Sequence, residues 1–165
     1  MRIKELFLHS LKSPKKLAAF RLLPIGKVMT YVFIFIAILT IISFVNFMSG
    51  FDTAQSTTSG LLEYMNELQW ILLPFAFIIQ FVMSTLLIFT RISLMALIGL
   101  WVLKALKRRG DYRHVWRTTA FAYTVPTLLS ILLMYLSIPN LYITVSTNIL
   151  SFIYLFLALR YYPKQ

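Results

Sequence analysis

The 165-residue chain carries sixteen Lys and Arg against five Asp and Glu, a formal net charge of +11, yet 59% of its residues are hydrophobic. With a mean hydropathy of +0.80 it lies well above the roughly 45–50% apolar content of soluble domains, which excludes water as its main solvent. The absence of cysteine excludes disulfides, thiolate metal sites and a cysteine nucleophile.

Residues 1–12 place Ile3, Leu6, Phe7 and Leu11 at spacings of three and four, with Arg2, Lys4, Glu5 and Lys12 elsewhere around the wheel. This pattern predicts an amphipathic helix lying on the membrane surface. Ser13 and Pro14 read as an N-cap and first-turn pair that opens a second short helix through Leu17, Ala18 and Phe20, ended by Pro24 and Gly26. The segment is read as uncleaved, because its charged head is long for a signal peptide and no small-residue cleavage site follows the apolar run.

Residues 28–48 are apolar and β-branched, with Asn46 as the one strongly polar side chain, and form the first predicted span. Residues 49–69 contain Asp52, Glu63 and Glu67 and no Lys or Arg, which predicts an outer loop. The stretch from Trp70 to Leu103 would measure about 51 Å as one helix, more than the bilayer core and poorly matched to two crossings. Acids flank its start and Lys104, Lys107, Arg108 and Arg109 its end, so the number of crossings is odd, and three do not fit. The second span is therefore 70–90, with Trp70 at the outer interface and Arg91 snorkelling to the inner headgroups.

Residues 91–117 follow as a cytoplasmic helix extension and basic loop. Within them 92–103 continue as an apolar helix that leaves the bilayer obliquely, packs under the bundle or runs along the inner interface, a shallow re-entrant hairpin being the alternative. A third span is predicted over 118–137, kinked by Pro126. Pro139 and Asn140 form a short outer turn, 141–159 a fourth span and 160–165 a cytoplasmic tail.

The predicted fold is thus all-α: a single polytopic membrane domain of four transmembrane helices with an N-terminal amphipathic interfacial helix. Seven basic residues precede the first span, six fill 104–117 and two follow the last span. Short loops rich in Lys and Arg stay cytoplasmic, so both termini are predicted inside the cell. This rule accounts for the charge, and no nucleic-acid partner is expected. The basic clusters also meet anionic lipid headgroups.

Residues 10–33, SLKSPKKLAAFRLLPIGKVMTYVF, and 112–126, YRHVWRTTAFAYTVP, resemble an uncharacterised family of bacterial integral membrane proteins found mainly in low-GC Gram-positive bacteria, some labelled maltodextrin utilisation protein. The resemblance is carried by Ser13-Pro14, Phe20-Arg21, Gly26-Lys27 and Tyr31, and by Tyr112, Trp116, Ala120, Tyr123 and Pro126. The second set is also similar to Yip-type membrane proteins. Family members carry a much larger extracytoplasmic segment between the first two spans than the one predicted here. The resemblance implies a multi-pass protein of the bacterial cell membrane with no assigned activity and no catalytic residues to carry over.

The spans contain no Asp, Glu, Lys or His, and Arg91 lies at the end of one. Intramembrane carboxylates and histidines mark proton relays, so a proton-coupled pump is excluded on this pattern. No His-Glu-x-x-His helix and no glycine-rich phosphate cradle occurs, and His9 and His114 lie in separate segments. No catalytic residue, cofactor or metal site is therefore expected, and the chain does not read as an enzyme.

Polar residues inside the spans form stripes: Gln80, Ser84 and Arg91; Thr119, Tyr123, Pro126, Thr127 and Ser130; and Thr144, Thr147, Asn148 and Ser151. They serve either interhelical hydrogen bonds of order 0.6 kcal/mol, with hydroxyls also bonding their own backbone, or a solute path centred on Gln80, Ser84, Tyr123 and Asn148. Tyr112, Trp116, Tyr161 and Tyr162 read as interfacial anchors. Lys107, Arg108, Arg109, Arg113 and Arg117 are the candidates for binding a lipid phosphate or an acidic partner. No Gly-x-x-x-Gly seam supports a glycine-mediated dimer. The leading expectation is a non-catalytic accessory or scaffold protein that contacts lipid headgroups and a membrane-protein partner at the cytoplasmic face. The alternative is a small solute-transport component.

Overall fold

The computed structural model describes residues 7, 10, 14–55, 62–134, 136 and 139–164. These residues are helical apart from short connections: α1 (Pro14–Ala19), a 3-10 turn (Phe20–Leu22), α2 (Ile25–Gln55), α3 (Leu62–Ala105), α4 (Tyr112–Ala122), α5 (Thr124–Met134) and α6 (Asn140–Leu159). The amphipathic helix expected over 1–12 and the cap expected at Ser13 lie outside the described residues, save Phe7 and Ser10.

Three of these helices contain stretches long and apolar enough to cross a bilayer: Ile25–Ser49, Trp70–Ala105 and Leu141–Leu159. Their outward surfaces carry large apolar side chains such as Val45, Phe75, Leu86, Leu87 and Ile149, an exposure that water would penalise and lipid accepts. The outer loop expected over 49–69 is mostly helix, because α2 runs to Gln55 and α3 begins at Leu62. Residues 92–103 continue α3 without interruption, so no hairpin forms there.

The third span, expected as one helix over 118–137, is instead two helices of 11 residues each, α4 and α5, each about 16 Å long and too short alone for a bilayer core of about 30 Å. Pro126 causes the division. It has no N–H to give to the carbonyl of Ala122, and its ring crowds that carbonyl. The interruption falls at Tyr123, whose backbone stays in the right-handed helical region (φ −71°, ψ −17°), so the chain bends and does not reverse. Helix α4 also starts six residues ahead of the expected span, capped by the extended backbone of Asp111 (φ −93°, ψ 164°).

The chain divides into two compact units, one of residues 30–89 and one of residues 1–29 with 90–165. In the first, α2 and α3 pair antiparallel: Phe33 meets Phe89 at 5.6 Å, Phe44 meets Phe77 edge-on at 5.2 Å, and Gln80 Nε2 donates to Ser43 Oγ at 2.8 Å.

In the second unit α1 packs on α4 and α6, and α4 and α5 both pack on α6. Its core contains Leu17, Phe20, Ile92, Val115, Phe121, Leu155 and Leu159, all buried, with the Phe20 and Phe121 rings 4.7 Å apart. Gly99 sets the closest approach. A Cβ there would stand 2.9 Å from Val115 Cγ1 and 3.0 Å from Leu155 Cδ2, so the glycine lets α3 settle onto α4 and α6.

Gly99→Ala should destabilise the protein by about 1–2 kcal/mol, the overpacking cost outweighing roughly 1 kcal/mol of helix propensity. Gly26→Ala, where a Cβ would meet nothing within 4 Å, should be neutral or slightly stabilising. Thermal unfolding in detergent checks the pair; equal melting temperatures would contradict the packing account.

Candidate functional site

The basic residues predicted at the cytoplasmic face gather in the second unit, built around the end of α3. That helix closes in a Schellman arrangement: Lys107 adopts a left-handed backbone (φ 52°), its N–H bonds the Lys104 carbonyl at 3.0 Å, and the Arg108 N–H bonds the Leu103 carbonyl at 3.1 Å. A lysine where glycine is usual costs about 1 kcal/mol, which the following contacts offset.

Residues 108 and 109 lie antiparallel against the segment after α6. Arg108 bridges Lys164, the Arg109 N–H donates to the Pro163 carbonyl at 2.9 Å, and Arg108 Nη1 donates to the Tyr162 carbonyl at 2.6 Å. Gly110 is required where it stands, since a Cβ would meet Leu103 Cδ2 at 2.9 Å and the Tyr162 ring at 3.0 Å.

Tyr162 is the centre of this assembly, with 1% of its surface exposed. Its hydroxyl lies 2.7 Å from Thr118 Oγ1 and donates to the His114 carbonyl at 3.1 Å, while the Arg21 guanidinium sits 4.8 Å from its ring centroid. Burial pushes its pKa up to about 12, against the lowering effects of the Thr118 hydrogen bond and the Arg21 charge. The phenol is therefore neutral throughout the physiological range. The interfacial-anchor reading is compatible with Tyr112 and Tyr161, which are 38% and 55% exposed; it fails for Trp116 and Tyr162, which are both buried in the core.

Two hollows flank this centre. The larger, about 480 Å³, is lined by Ile25, Met29, Ser93, Tyr112, Arg113, Trp116 and Arg117. Its back wall is fixed by Trp116 Nε1, which donates to Ser93 Oγ at 3.2 Å, and by the Tyr112 hydroxyl, which donates to the Ser93 carbonyl at 3.3 Å. Arg113 and Arg117 stand one turn apart on α4 and face it together. Arg117 Nη1 donates to the Arg21 carbonyl at 3.1 Å, and its Nε is buried without a hydrogen-bond partner. The smaller hollow, about 340 Å³, is lined by Arg21, Leu22, Arg109, Gly110, Asp111, His114 and Pro163. Among the described residues Asp111 is the one carboxylate on either lining, against Arg21, Arg109, Arg113 and Arg117. The linings are thus rich in positive charge, and guanidiniums have the geometry for planar bidentate contact with carboxylate or phosphate oxygens. Among the described residues no group of three His, Asp or Glu side chains is placed to hold a metal ion.

A family model described as "Protein of unknown function (DUF1189)" matches residues 47–159. The chain belongs to this family. The DUF1189 match takes in α3, α4, α5 and α6 with Arg113 and Arg117, but stops short of Tyr162 and leaves out Arg21, Ile25 and Met29. The site is therefore assembled partly from residues outside the matched region. No curated protein and no solved structure matches the chain.

The basic residues singled out from the sequence are all in the second unit, and they are not equivalent. Arg113 and Arg117 share the larger hollow, Arg109 lines the smaller, Arg108 is committed to the Tyr162 carbonyl and Lys107 to the helix end. The polar stripe is divided. Gln80 and Ser84 belong to the first unit, where Gln80 bonds Ser43; Tyr123 and Asn148 belong to the second, where the Tyr123 hydroxyl accepts from Arg91 Nη1 at 3.1 Å and Asn148 is exposed.

Sequence reasoning missed Arg21, Ser93 and the buried role of Tyr162. Arg21 stood out only within the Phe20-Arg21 pair of the family resemblance and Ser93 carried no local signal, whereas the Tyr-Tyr-Pro run that follows the last apolar stretch could have marked a docked segment.

Tyr162→Phe should lower stability by about 1 kcal/mol at neutral pH, through loss of the buried hydroxyl's hydrogen bonds. A raised folded-state pKa contributes stability that is complete below the ordinary value near 10 and fades as pH climbs towards 12. The gap between wild type and Tyr162→Phe should therefore be constant from pH 6 to about 9 and shrink above about 10. Melting curves across that range check it, and a gap that widens with pH would contradict the assignment.

Proposed function

We propose that the chain is a four-span protein of the bacterial plasma membrane with both termini cytoplasmic. Its role is that of a non-catalytic accessory or scaffold, whose basic face binds anionic lipid headgroups and a membrane-protein partner. The observation that carries this reading is the meeting of Arg21, the turn at 108–110 and the segment 162–164 around one buried phenol. Groups in contact lie on one side of the membrane. Between Arg21 and Arg109 stand the apolar helices α2 and α3, and between Gly110 and Tyr162 stand α6 and the bent pair α4–α5. An even number of crossings in each interval follows if α4 and α5 cross together, which supports a third span over 118–137 broken at Tyr123. The positive-inside rule then assigns the common side to the cytoplasm.

The alternative reading, a solute path lined by Gln80, Ser84, Tyr123 and Asn148, has less support. Gln80 and Tyr123 already hold partners in their own units, and hydroxyls along α4, α5 and α6 turn back to their own helices: Thr119 to the Val115 carbonyl, Thr127 to that of Tyr123 and Ser151 to that of Thr147. No reaction is proposed, because the arginine-rich surface offers anion recognition without a paired nucleophile and base.

Single cysteines placed at Lys104 and at Gln165 should both resist an impermeant thiol reagent on intact cells and react once the membrane is opened. Labelling of either in intact cells would overturn the topology. In the same strain, Arg109→Glu with Arg113→Glu should abolish co-purification of a cross-linked membrane partner that wild type retains, while the triple change Gln80→Leu, Tyr123→Phe, Asn148→Leu should leave it intact.

A further inference from the structure

The larger hollow combines two chemistries on one lining. Ile25, Met29 and the Trp116 ring offer an apolar wall, and Arg113 and Arg117 converge on it from α4. Among the described residues no carboxylate lines it, so the two guanidiniums have no counter-ion there within the described structure. Arg117 Nε is itself buried and has no hydrogen-bond partner among the described residues, so what Arg117 offers the hollow is its charge and the rest of its side chain. Among the described residues neither guanidinium is tied to an acid: Asp111 lies against His114, and Arg117 makes its hydrogen bond to a backbone carbonyl.

We propose that this hollow is a stoichiometric binding site for one anionic phospholipid, its phosphate held between Arg113 and Arg117 and the start of an acyl chain lying along Ile25, Met29 and Trp116. The inference rests on the membrane reading above and makes it specific, replacing diffuse attraction to headgroups with a single seat. A phosphodiester supplies paired acceptor oxygens matched to the guanidinium fork. A free phosphate ion would satisfy the arginines and leave the apolar wall bare. Ile25 and Met29 lie at the start of α2, where the chain passes from the basic N-terminal segment into its first apolar stretch, the depth at which a lipid's phosphate and first methylenes lie.

Native mass spectrometry of the full chain, released from nanodiscs of mixed phosphatidylglycerol and phosphatidylcholine, reads this directly. One phosphatidylglycerol should be retained per chain in preference to phosphatidylcholine. Arg113→Gln and Arg117→Gln should each weaken retention about tenfold, the loss of one charge-assisted contact, and Met29→Ser should weaken it with the charge unchanged. Arg160→Gln and Lys164→Gln, which remove the same charge outside the hollow, should have little effect. Arg113 is exposed, so its variant tests the site without disturbing the core, and an unchanged melting temperature confirms that.

Equal losses from all four charge variants would overturn the site in favour of diffuse attraction. Full displacement of the lipid by inorganic phosphate, or indifference to Met29→Ser, would overturn the lipid assignment in favour of a soluble phosphate compound. Retention failing while the cysteine labelling gives cytoplasmic termini sinks the site alone; labelling that places Lys104 outside sinks the reading on which it rests.

Discussion

A neutral phenol buried beneath a guanidinium holds the second unit together. Tyr162 touches three stretches far apart in the chain: Arg21 by its ring, Thr118 and the His114 carbonyl by its hydroxyl, and Arg108 by its own carbonyl. Each contact is modest alone, but none is independent. The close approach at Gly110 exists because the ring is there, and the left-handed turn at Lys107 is held because Arg108 and Arg109 pair with the segment beyond α6. The arginines in the flanking hollows owe their placement to the same arrangement, since Arg117 reaches the carbonyl of Arg21.

The apolar helices were plain in the sequence because length and hydropathy are local properties. Their ends were not. Polar residues at 49–55 and 62–69 read as loop, yet none of them is a proline and Gly50 is accommodated inside the helix, so the chain stays helical through them. Gly26 was read as a stop and lies inside α2, because Pro24 already provides the break and starts the next helix one residue later. Pro126 announced a defect, but its effect appears a turn earlier, at the carbonyl it deprives. Asp111 drew α4 back to Tyr112, ahead of the basic residues that had set the predicted start of the span.

The site was legible in half. Arg113 and Arg117 were grouped with Lys107, Arg108 and Arg109 by charge alone, and it is their place one turn apart on α4 that brings these two to one hollow. Ile25, Met29, Ser93 and Arg21 reach the same region from other elements, through contacts that no periodicity encodes. The polar stripes had a simpler fate. A hydroxyl in an apolar helix satisfies itself at the nearest carbonyl three or four residues back, as Thr85, Thr119, Thr127, Ser130 and Ser151 do, so side-chain polarity in such helices marks backbone bonding more often than a route for cargo.

The order in which the polypeptide is made gives the position of Tyr162 a further meaning. The residue is synthesised only after α6, and until then the turn at Lys107 lacks the segment that steadies it and Gly110 lacks the ring it packs against. The second unit therefore closes only once residues from both sides of α4, α5 and α6 are available. The contact that fastens the finished unit is among the last that the growing chain can make.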